Sequence, residues 1–380
     1  MIFEVWAPKA TAVEVDVLGG RRAMSPGEGG WWSAEVEGPS TAPGTPSWWT
    51  ATDRTPTPHP AAAEGIFGQS AVYEHARFTW SDHDWKGRDL RGAVIYELHI
   101  GTFTPEGTFA SAIELPHLVE LCVDFVEVMP VAPVPGGRNW GYDGVDLYAV
   151  TETYGGPDGL KSFVDACHRA GIGVILDVVY NHLGPSGNFL RPFGPYFSGF
   201  DGSYWGEAVN LDGPESDEVR RYFIGNALQW LRDFHIDGLR LDAVHALHDK
   251  RATHLLAELS EEVDALACSV GRPLSLIAES DLNDPRMVRA LDRRARHDRA
   301  VGRRRAPRPA LRRQRREPRL LRGLRPPFRP GQGAHARGRA RRDALQLPGP
   351  RARQLVRGRA WAPAGGLPAE PRPDRQQARR

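Results

Sequence analysis

Three short strings place carboxylates, histidines and an arginine where an apolar stretch gives way to polar residues. Leu176-Asp-Val-Val-Tyr-Asn-His182 carries Asp177, Asn181 and His182, Gly238-Leu-Arg-Leu-Asp-Ala-Val-His245 carries Arg240, Asp242 and His245, and Leu276-Ile-Ala-Glu-Ser280 carries Glu279. If the apolar stretches are consecutive parallel strands, Asp242 and Glu279 meet in one pocket. Glycoside hydrolysis with retention needs such a pair, roughly 5–5.5 Å apart, one as nucleophile and the other as acid then base. Arg240 lies two residues before Asp242 and so shares its face of the strand. Its fixed charge is expected to keep Asp242 ionised and oriented. Glu279 follows an apolar strand, and desolvation there is expected to raise its pKa so that it keeps a proton to donate. Taken singly, each residue has a plainer reading: a carboxylate closing a strand is often a cap or a solvated charge. His182 or His245 alone fits a core or loop histidine, and Trp140, Tyr142 or Trp205 alone fits a packing aromatic. Their joint occurrence favours a site.

The elements that would position these groups are legible from period. Residues 1–37 read as short antiparallel strands, with strict alternation in AVEVDVL, a turn at Gly19-Gly20 and a further strand in WWSAEVEG. Residues 38–63 break that pattern, and a polar hinge, SDHDWKGRDLRG, leads into the second region. From residue 93, apolar runs alternate with amphipathic stretches. AVIYEL precedes a helix over 111–121, FVEVMP a helix over 159–170, GVILDVV a long loop and a helix over 218–234, and GLRLDAV a helix over 253–267, before SLIAES. Such alternation predicts a parallel sheet covered by helices, either an open doubly wound sheet or part of a (β/α)8 barrel. No GxGxxG loop follows any strand, which argues against a dinucleotide site.

The charge balance divides the chain. Overall there are 49 Lys+Arg against 47 Asp+Glu in 380 residues, yet residues 293–380 hold 28 Arg, no Lys and 5 acids. That tail lacks Ile, Tyr, Met, Cys, Asn, Ser and Thr and cannot bury enough apolar surface to offset its chain entropy. No apolar run of about 18 residues is present, so no spanning helix is expected, and the N-terminus lacks a signal-peptide pattern. Cys122, Cys167 and Cys268 are read as core thiols of a cytoplasmic protein.

Residues 1–37 and about 64–292 resemble the maltooligosyltrehalose trehalohydrolases, a branch of the α-amylase superfamily (glycoside hydrolase family 13). The three strings above match the superfamily's first three conserved regions in order. Tyr96-Glu-Leu-His-Ile-Gly-Thr-Phe-Thr104, Trp140-Gly-Tyr-Asp143, Tyr180-Asn-His-Leu-Gly-Pro-Ser-Gly187 and Glu279-Ser-Asp-Leu-Asn-Asp-Pro285 resemble features of the branch. The resemblance implies an immunoglobulin-like N-terminal β-sandwich over 1–85, with 38–63 anomalous, and a catalytic (β/α)8 TIM barrel over 91–292 of about five β/α units. A low-complexity Arg-rich tail over 293–380 follows. It implies hydrolysis of the α-1,4 bond next to the terminal trehalose of maltooligosyl trehalose, a functional link to a maltooligosyl trehalose synthase, and no cofactor or metal. Asp242 then resembles the nucleophile and Glu279 the acid/base. Arg240, His182 and His245 would hold the nucleophile and sugar, Tyr142 would stack on that sugar, and Trp205 and Asp281 would face the trehalose side. Asp143, Asp177 and Asn181 are expected to be structural neighbours of the site.

The resemblance fails where the superfamily's fourth region, with its third carboxylate, would follow. Codon degeneracy suggests why. Pro371-Arg-Pro-Asp-Arg-Gln-Gln377, read one nucleotide later, permits His-Asp-Gln-Ile-Gly-Asn-Arg, which resembles that missing region. Gly44-Thr-Pro-Ser-Trp-Trp-Thr-Ala51, read two nucleotides later, permits Tyr-Ala-Phe-Leu-Val-Asp-Gly, a strand and turn. The expectation is a frameshift after about residue 292 and another between about 38 and 63, leaving a chain with little or no activity. Two alternatives are kept open. A glycogen branching enzyme shares the sandwich, barrel and carboxylates but transfers the glucan. An Arg-rich nucleic-acid-binding protein would use the tail, but evolved basic arms interleave Lys, Ser or aromatics, so no specific nucleic-acid partner is expected.

Overall fold

The computed structural model describes residues 2–17, 20–36, 61–62, 66–67, 70–71, 73–113, 116–199 and 207–282. The chain divides into Met1–Arg303 and Arg304–Arg380, and the second unit lies wholly outside the described residues, as do the anomalous 38–60 stretch and Trp205.

The N-terminal strands are antiparallel, as the alternation predicts. Strand β1 (Ile2–Trp6), β2 (Glu14–Val17), β3 (Gly20–Ala23), β4 (Ser25–Pro26) and β5 (Trp31–Glu35) come first. They form a three-stranded sheet of order β1-β5-β4 and a β2-β3 hairpin, and β6 (Ala61–Ala62) pairs with β7 (Ser70–Ala71). The anchor of this region is Trp6, 1% exposed, whose indole N–H donates to the Gly29 carbonyl (3.0 Å) while its ring packs edge-on against Tyr196. A Cβ on Gly194 would come within 2.8 Å of the Trp6 ring, so this contact depends on glycine.

The second region is a five-stranded parallel sheet of order β12-β11-β10-β9-β8, built from β8 (Ile95–Leu98), β9 (Phe125–Val128), β10 (Gly173–Val178), β11 (Gly238–Leu241) and β12 (Ser275–Ala278). Sequential strands are neighbours throughout. Strands β9 and β10, flanked by strands on both sides, are buried at every position, whereas β12, the edge strand among the described residues, is half-buried throughout. The helices are α1 (Ile100–Phe103), α2 (Phe109–Ala112), α3 (Pro116–Glu120), α4 (Gly156–Arg169), α5 (Ser216–Asp233) and α6 (Leu255–Val270). The three long ones fall within a few residues of their predicted spans. The predicted 111–121 helix is instead two short ones: Thr108 caps α2 with a reciprocal Ser111 capping box, and Pro116 starts α3 afresh, since proline cannot continue a helix. Leu160, Phe163, Val174, Leu176, Trp230 and Leu239 fill the core, each burial contributing roughly 1.5–3 kcal/mol.

Two polar networks tie the loops down. Arg220 of α5, 2% exposed, bonds Asp249, Glu258 and the carbonyls of Leu211 and Thr253, fixing the chain between β11 and α6. The polar hinge is docked against the second region. Ser81 bonds Asp165, and Asp82 Oδ2 lies 2.8 Å from both His168 Nδ1 and His235 Nδ1. His168 Nε2 lies 2.9 Å from Asp237, which also accepts from Trp85 and Arg272. Both His168 nitrogens face carboxylates, which only accept, so the ring donates from both sides and is an imidazolium. The thiols depart from expectation: Cys167 is buried in α4, but Cys122 and Cys268 are exposed. Cys122 sits in the turn before β9, with φ of 53°, and Cys268 lies on the outer face of α6.

Candidate active site

The C-terminal ends of β10, β11 and β12 converge on one guanidinium. Arg240 Nη1 donates to both Asp177 oxygens (2.9 and 2.8 Å) and to Asp242 Oδ1 (2.7 Å), and its Nη2 lies 3.4 Å from Glu279 Oε2. Parallel pairing places them: Asp177 is the register partner of Arg240, and Leu241 is that of Ala278, so Asp242 and Glu279 leave adjacent strands together. Asn181 holds Asp242 from the other side, its amide donating to Oδ2 (2.8 Å) and to the backbone oxygen (3.0 Å). Ala243, next in the chain, has φ of 42°, and this left-handed turn aims its N–H at Glu279 Oε2 (2.7 Å).

Tyr142 donates its hydroxyl proton to Asp177 (2.7 Å), and its carbonyl accepts from His182 Nε2 (2.9 Å), so tyrosine and histidine are fixed as a pair. The other His182 nitrogen is 2.5 Å from Asn181 Oδ1. Burial pushes the Tyr142 phenol well up, with the Asp177 charge adding to it. Burial also pushes Asp177 up to about 7 against the opposing pull of Arg240 and Tyr142. The Arg240 guanidinium is held above its ordinary value: burial works against the charge, but Asp177 and Asp242 outweigh it. The predicted desolvation of Glu279 is not what the site provides. Its side chain is 34% exposed, β12 being an edge strand among the described residues, and it is held by a backbone N–H and a guanidinium.

Other predicted residues stand further out. Asp143 accepts from Asn139 (3.0 Å) at the rim. His245 Nδ1 accepts from the Asp281 backbone N–H (3.4 Å), and the Asp281 side chain is 83% exposed. Trp205 lies outside the described residues.

Sequence reasoning missed Glu127, in the middle of β9. It is 7% exposed, and one oxygen each of Glu97, Glu127 and Asp177 lie within 4.8 Å of one another. Burial and then the Asp177 and Glu97 charges raise Glu127 to about 7. The signal was present as a lone acid inside FVEVMP. This trio has the donor types of a cation site, but Asp177 is already engaged by Arg240, whose positive charge opposes a metal ion there.

Tyr142, His182, Arg240, Asp242 and Glu279 line one cleft of about 1220 Å³. It runs from Glu279 and Asp281 at the β12 edge to His99, Glu106 and Trp140 at the β8 edge. Two paired carboxylates, an arginine between them and a tyrosine and histidine beside them can cleave an acetal by displacement and hold the sugar ring while doing so.

Comparison with known proteins agrees with this chemistry. The family model "Alpha amylase, catalytic domain" matches residues 76–191. Over 295 residues the chain is 54% identical to a malto-oligosyltrehalose trehalohydrolase of Arthrobacter ramosus, covering 76% of this chain and 51% of that protein. Over that shared length the chain is homologous to malto-oligosyltrehalose trehalohydrolases. It spans about half the length of the curated trehalohydrolases it matches. A 1,4-alpha-glucan branching enzyme of Vibrio cholerae is more distant, 34% identical over 275 residues, 64% of this chain and 37% of that protein. Among solved structures, a Salmonella typhimurium crystal structure described as an alpha amylase aligns with a TM-score of 0.66 at 38% identity, over 74% of this chain and 48% of that one. The chain is therefore more similar to the trehalohydrolases than to this branching enzyme, in both identity and coverage.

Proposed function

We propose that this chain carries the catalytic half of a trehalohydrolase, which hydrolyses the α-1,4-glucosidic bond next to the terminal trehalose of maltooligosyl trehalose. The single observation that carries this reading is the Arg240 bridge between Asp242 and Glu279 in a cleft whose sequence matches trehalohydrolases. In the first step Glu279 gives its proton to the glycosidic oxygen, trehalose leaves, and Asp242 Oδ bonds to the anomeric carbon. In the second, Glu279 takes a proton from water, the water oxygen replaces Asp242 at that carbon, and the maltooligosaccharide is released with net retention. Arg240 and Asn181 hold the attacking carboxylate aimed, since Asn181 bonds Oδ2 and Arg240 bonds Oδ1. Tyr142, fixed by Asp177 and His182, presents its ring to the sugar at the cleaved bond.

The surrounding readings belong to the same proposal. The antiparallel N-terminal strands form part of a β-sandwich over 1–85, and the five parallel strands are the first five of a (β/α)8 barrel over 91–292. Residues 293–380 are an out-of-frame tail. The substrate would be supplied by a maltooligosyl trehalose synthase, and the protein would work in the cytoplasm. Among the described residues no helix is long and apolar enough to cross a membrane. With residues 293–380 out of frame, turnover by this chain would be slight. Product analysis tests the reading: whatever turnover the chain shows on maltooligosyl trehalose should release free trehalose, and amylose should yield no new branches. Branch formation without trehalose would overturn it.

A further inference from the structure

Glu127 is a buried acid that the mechanism leaves unused, and it stands between two others. Glu97 of β8 is its register partner, and Asp177 of β10 lies two residues beyond its partner on the other side, Ile175. One oxygen of each acid lies within 4.8 Å of the other two. Glu97 is exposed, whereas Glu127 is 7% and Asp177 1% exposed. The charged groups that face Glu127 are Glu97 from β8, Asp177 from β10 and Arg240 from β11. Tyr142 and Asp242 are joined to them through Asp177 and Arg240. The two buried acids differ in their donors. Asp177 accepts from Arg240 Nη1 at both oxygens and from the Tyr142 hydroxyl at Oδ2. Among the described residues no N–H or O–H donates to the Glu127 carboxyl.

Like charges this close in a buried place do not both persist near neutrality, so Glu127 and Asp177 titrate as a pair. Donated hydrogen bonds favour the charged form of a carboxyl group. Asp177 receives them and Glu127 does not, so the proton that the pair retains sits on Glu127. Burial, then the Asp177 and Glu97 charges, hold Glu127 up to about 7. Its charge state reaches Asp242 because one nitrogen serves both sides. Arg240 Nη1 holds the two Asp177 oxygens and also Asp242 Oδ1. A charge released on Glu127 adds to the pull on the Asp177 side of that nitrogen and adds nothing on the Asp242 side. The guanidinium is then drawn toward β9, and Asp242 keeps only the Asn181 amide at Oδ2 and its own backbone oxygen. Two strand spacings separate β9 from β11, about 10 Å at the usual inter-strand distance, so Glu127 acts through Arg240 and not on the reacting atoms.

We propose that Glu127 is a positioning residue for Asp242: protonated, it leaves Arg240 Nη1 shared between Asp177 and Asp242, and ionised, it draws the guanidinium away from the nucleophile. This deepens the trehalohydrolase reading and rests on its assignment of Asp242. The probe is an α-configured cyclitol epoxide, a glucose mimic that a retaining nucleophile opens. The Asp242 oxygen bonds to the ring carbon as the epoxide C–O bond breaks, and the released oxygen takes the Glu279 proton. The rate of labelling at Asp242, located by peptide mass, is measured from pH 6 to pH 8 for the unsubstituted 380-residue chain, Glu127→Gln and Glu97→Gln. A group at about 7 passes from about nine-tenths protonated to about one-tenth over that range, so the unsubstituted chain should lose about tenfold in rate. Glu127→Gln, neutral throughout and nearly the same shape, should lose less than about twofold. Glu97→Gln removes a like charge that faces Glu127, so its decline should move to lower pH. A decline in Glu127→Gln as steep as in the unsubstituted chain, with or without a uniform loss at every pH, would overturn the positioning role and leave the trehalohydrolase reading standing. A Glu97→Gln decline that stays in place or moves to higher pH would do the same, and this exposed position decides alone if Glu127→Gln does not fold. An unsubstituted chain with no label on Asp242 at any pH would overturn both proposals.

Discussion

Arg240 Nη1 lies 2.7 Å from Asp242 Oδ1, and the same nitrogen holds both oxygens of Asp177. The guanidinium that orients the nucleophile candidate is therefore also held by a buried carboxyl group, Asp177, 1% exposed. Removing the arginine strands two carboxylates, one with almost no access to water. Arg240→Ala should destabilise the chain by about 3–5 kcal/mol, read as a lowered midpoint of urea unfolding. Arg240→Lys, which keeps the charge but loses the fork, should fall between the two.

Glu127 supplies a pH signature. Its folded-state value is raised from 4.5 to about 7, so between those limits the native state holds a proton that the unfolded chain releases. Stability must then fall as pH rises through that window, by at most roughly 3 kcal/mol from this group. Asp177, raised to about 7 as well, adds a slope of the same sign. Glu127→Gln should flatten part of the decline between pH 5 and 8 in urea-unfolding midpoints. An equally steep decline in the variant would remove Glu127 as its source.

The docked hinge titrates in two directions. His168 is raised above its ordinary value: burial opposes the charge, but Asp237 and Asp82 outweigh it. Its contribution is therefore full below about pH 6.5 and is lost as pH rises through the higher folded value. Burial acts to raise Asp82, but hydrogen bonds from His168 and His235 carry it well below the usual carboxylate range, so its contribution is lost only in strong acid. His168→Gln should lower the thermal midpoint most at pH 6 and least at pH 9.

Gly141→Ala tests whether the turn that carries Trp140 and Tyr142 is a positioning device. With φ of 94° and a carbonyl oxygen 2.4 Å from the new Cβ, the turn must open. We expect a loss of about 1–3 kcal/mol in stability and weaker binding of maltohexaose than strain alone would produce. Wild-type binding in a folded variant would show that the turn is not needed for the site.

Much of this was legible in sequence, and the reasons are local. Apolar runs bounded by helices gave β8 to β12 in order, and the two-residue period put Arg240 and Asp242 on one face, where they meet. What was missed depended on neighbours that pattern does not encode. The exposure of Glu279 follows from β12 being an edge, and the exposure of Cys122 from a left-handed turn before β9. Glu127 was hidden because a single acid in an apolar strand has the same pattern whether it meets solvent or Asp177. Trp140 could not be told from a packing aromatic until the cleft had walls. The hinge looked like a linker because its charges are polar in sequence, and only their partners, His168, His235 and Asp165, show that they are docked.

The proposed shift of reading frame is decided by the gene. Codons for residues 293–380 that are incompatible with the family-like strings in the shifted frame would remove the explanation for 28 arginines without a lysine. Codons that permit them all should show the same pattern of third-base G+C on both sides of the shift.

The most direct test of the central claim is free trehalose released from maltooligosyl trehalose by three proteins: this 380-residue chain, the same gene with its frame restored after residue 292, and that restored protein carrying Asp242→Asn. The first should release little or no trehalose, the second should show ordinary turnover, and the third should lose it. Trehalose at ordinary turnover from the 380-residue chain, or turnover that survives Asp242→Asn, would contradict it.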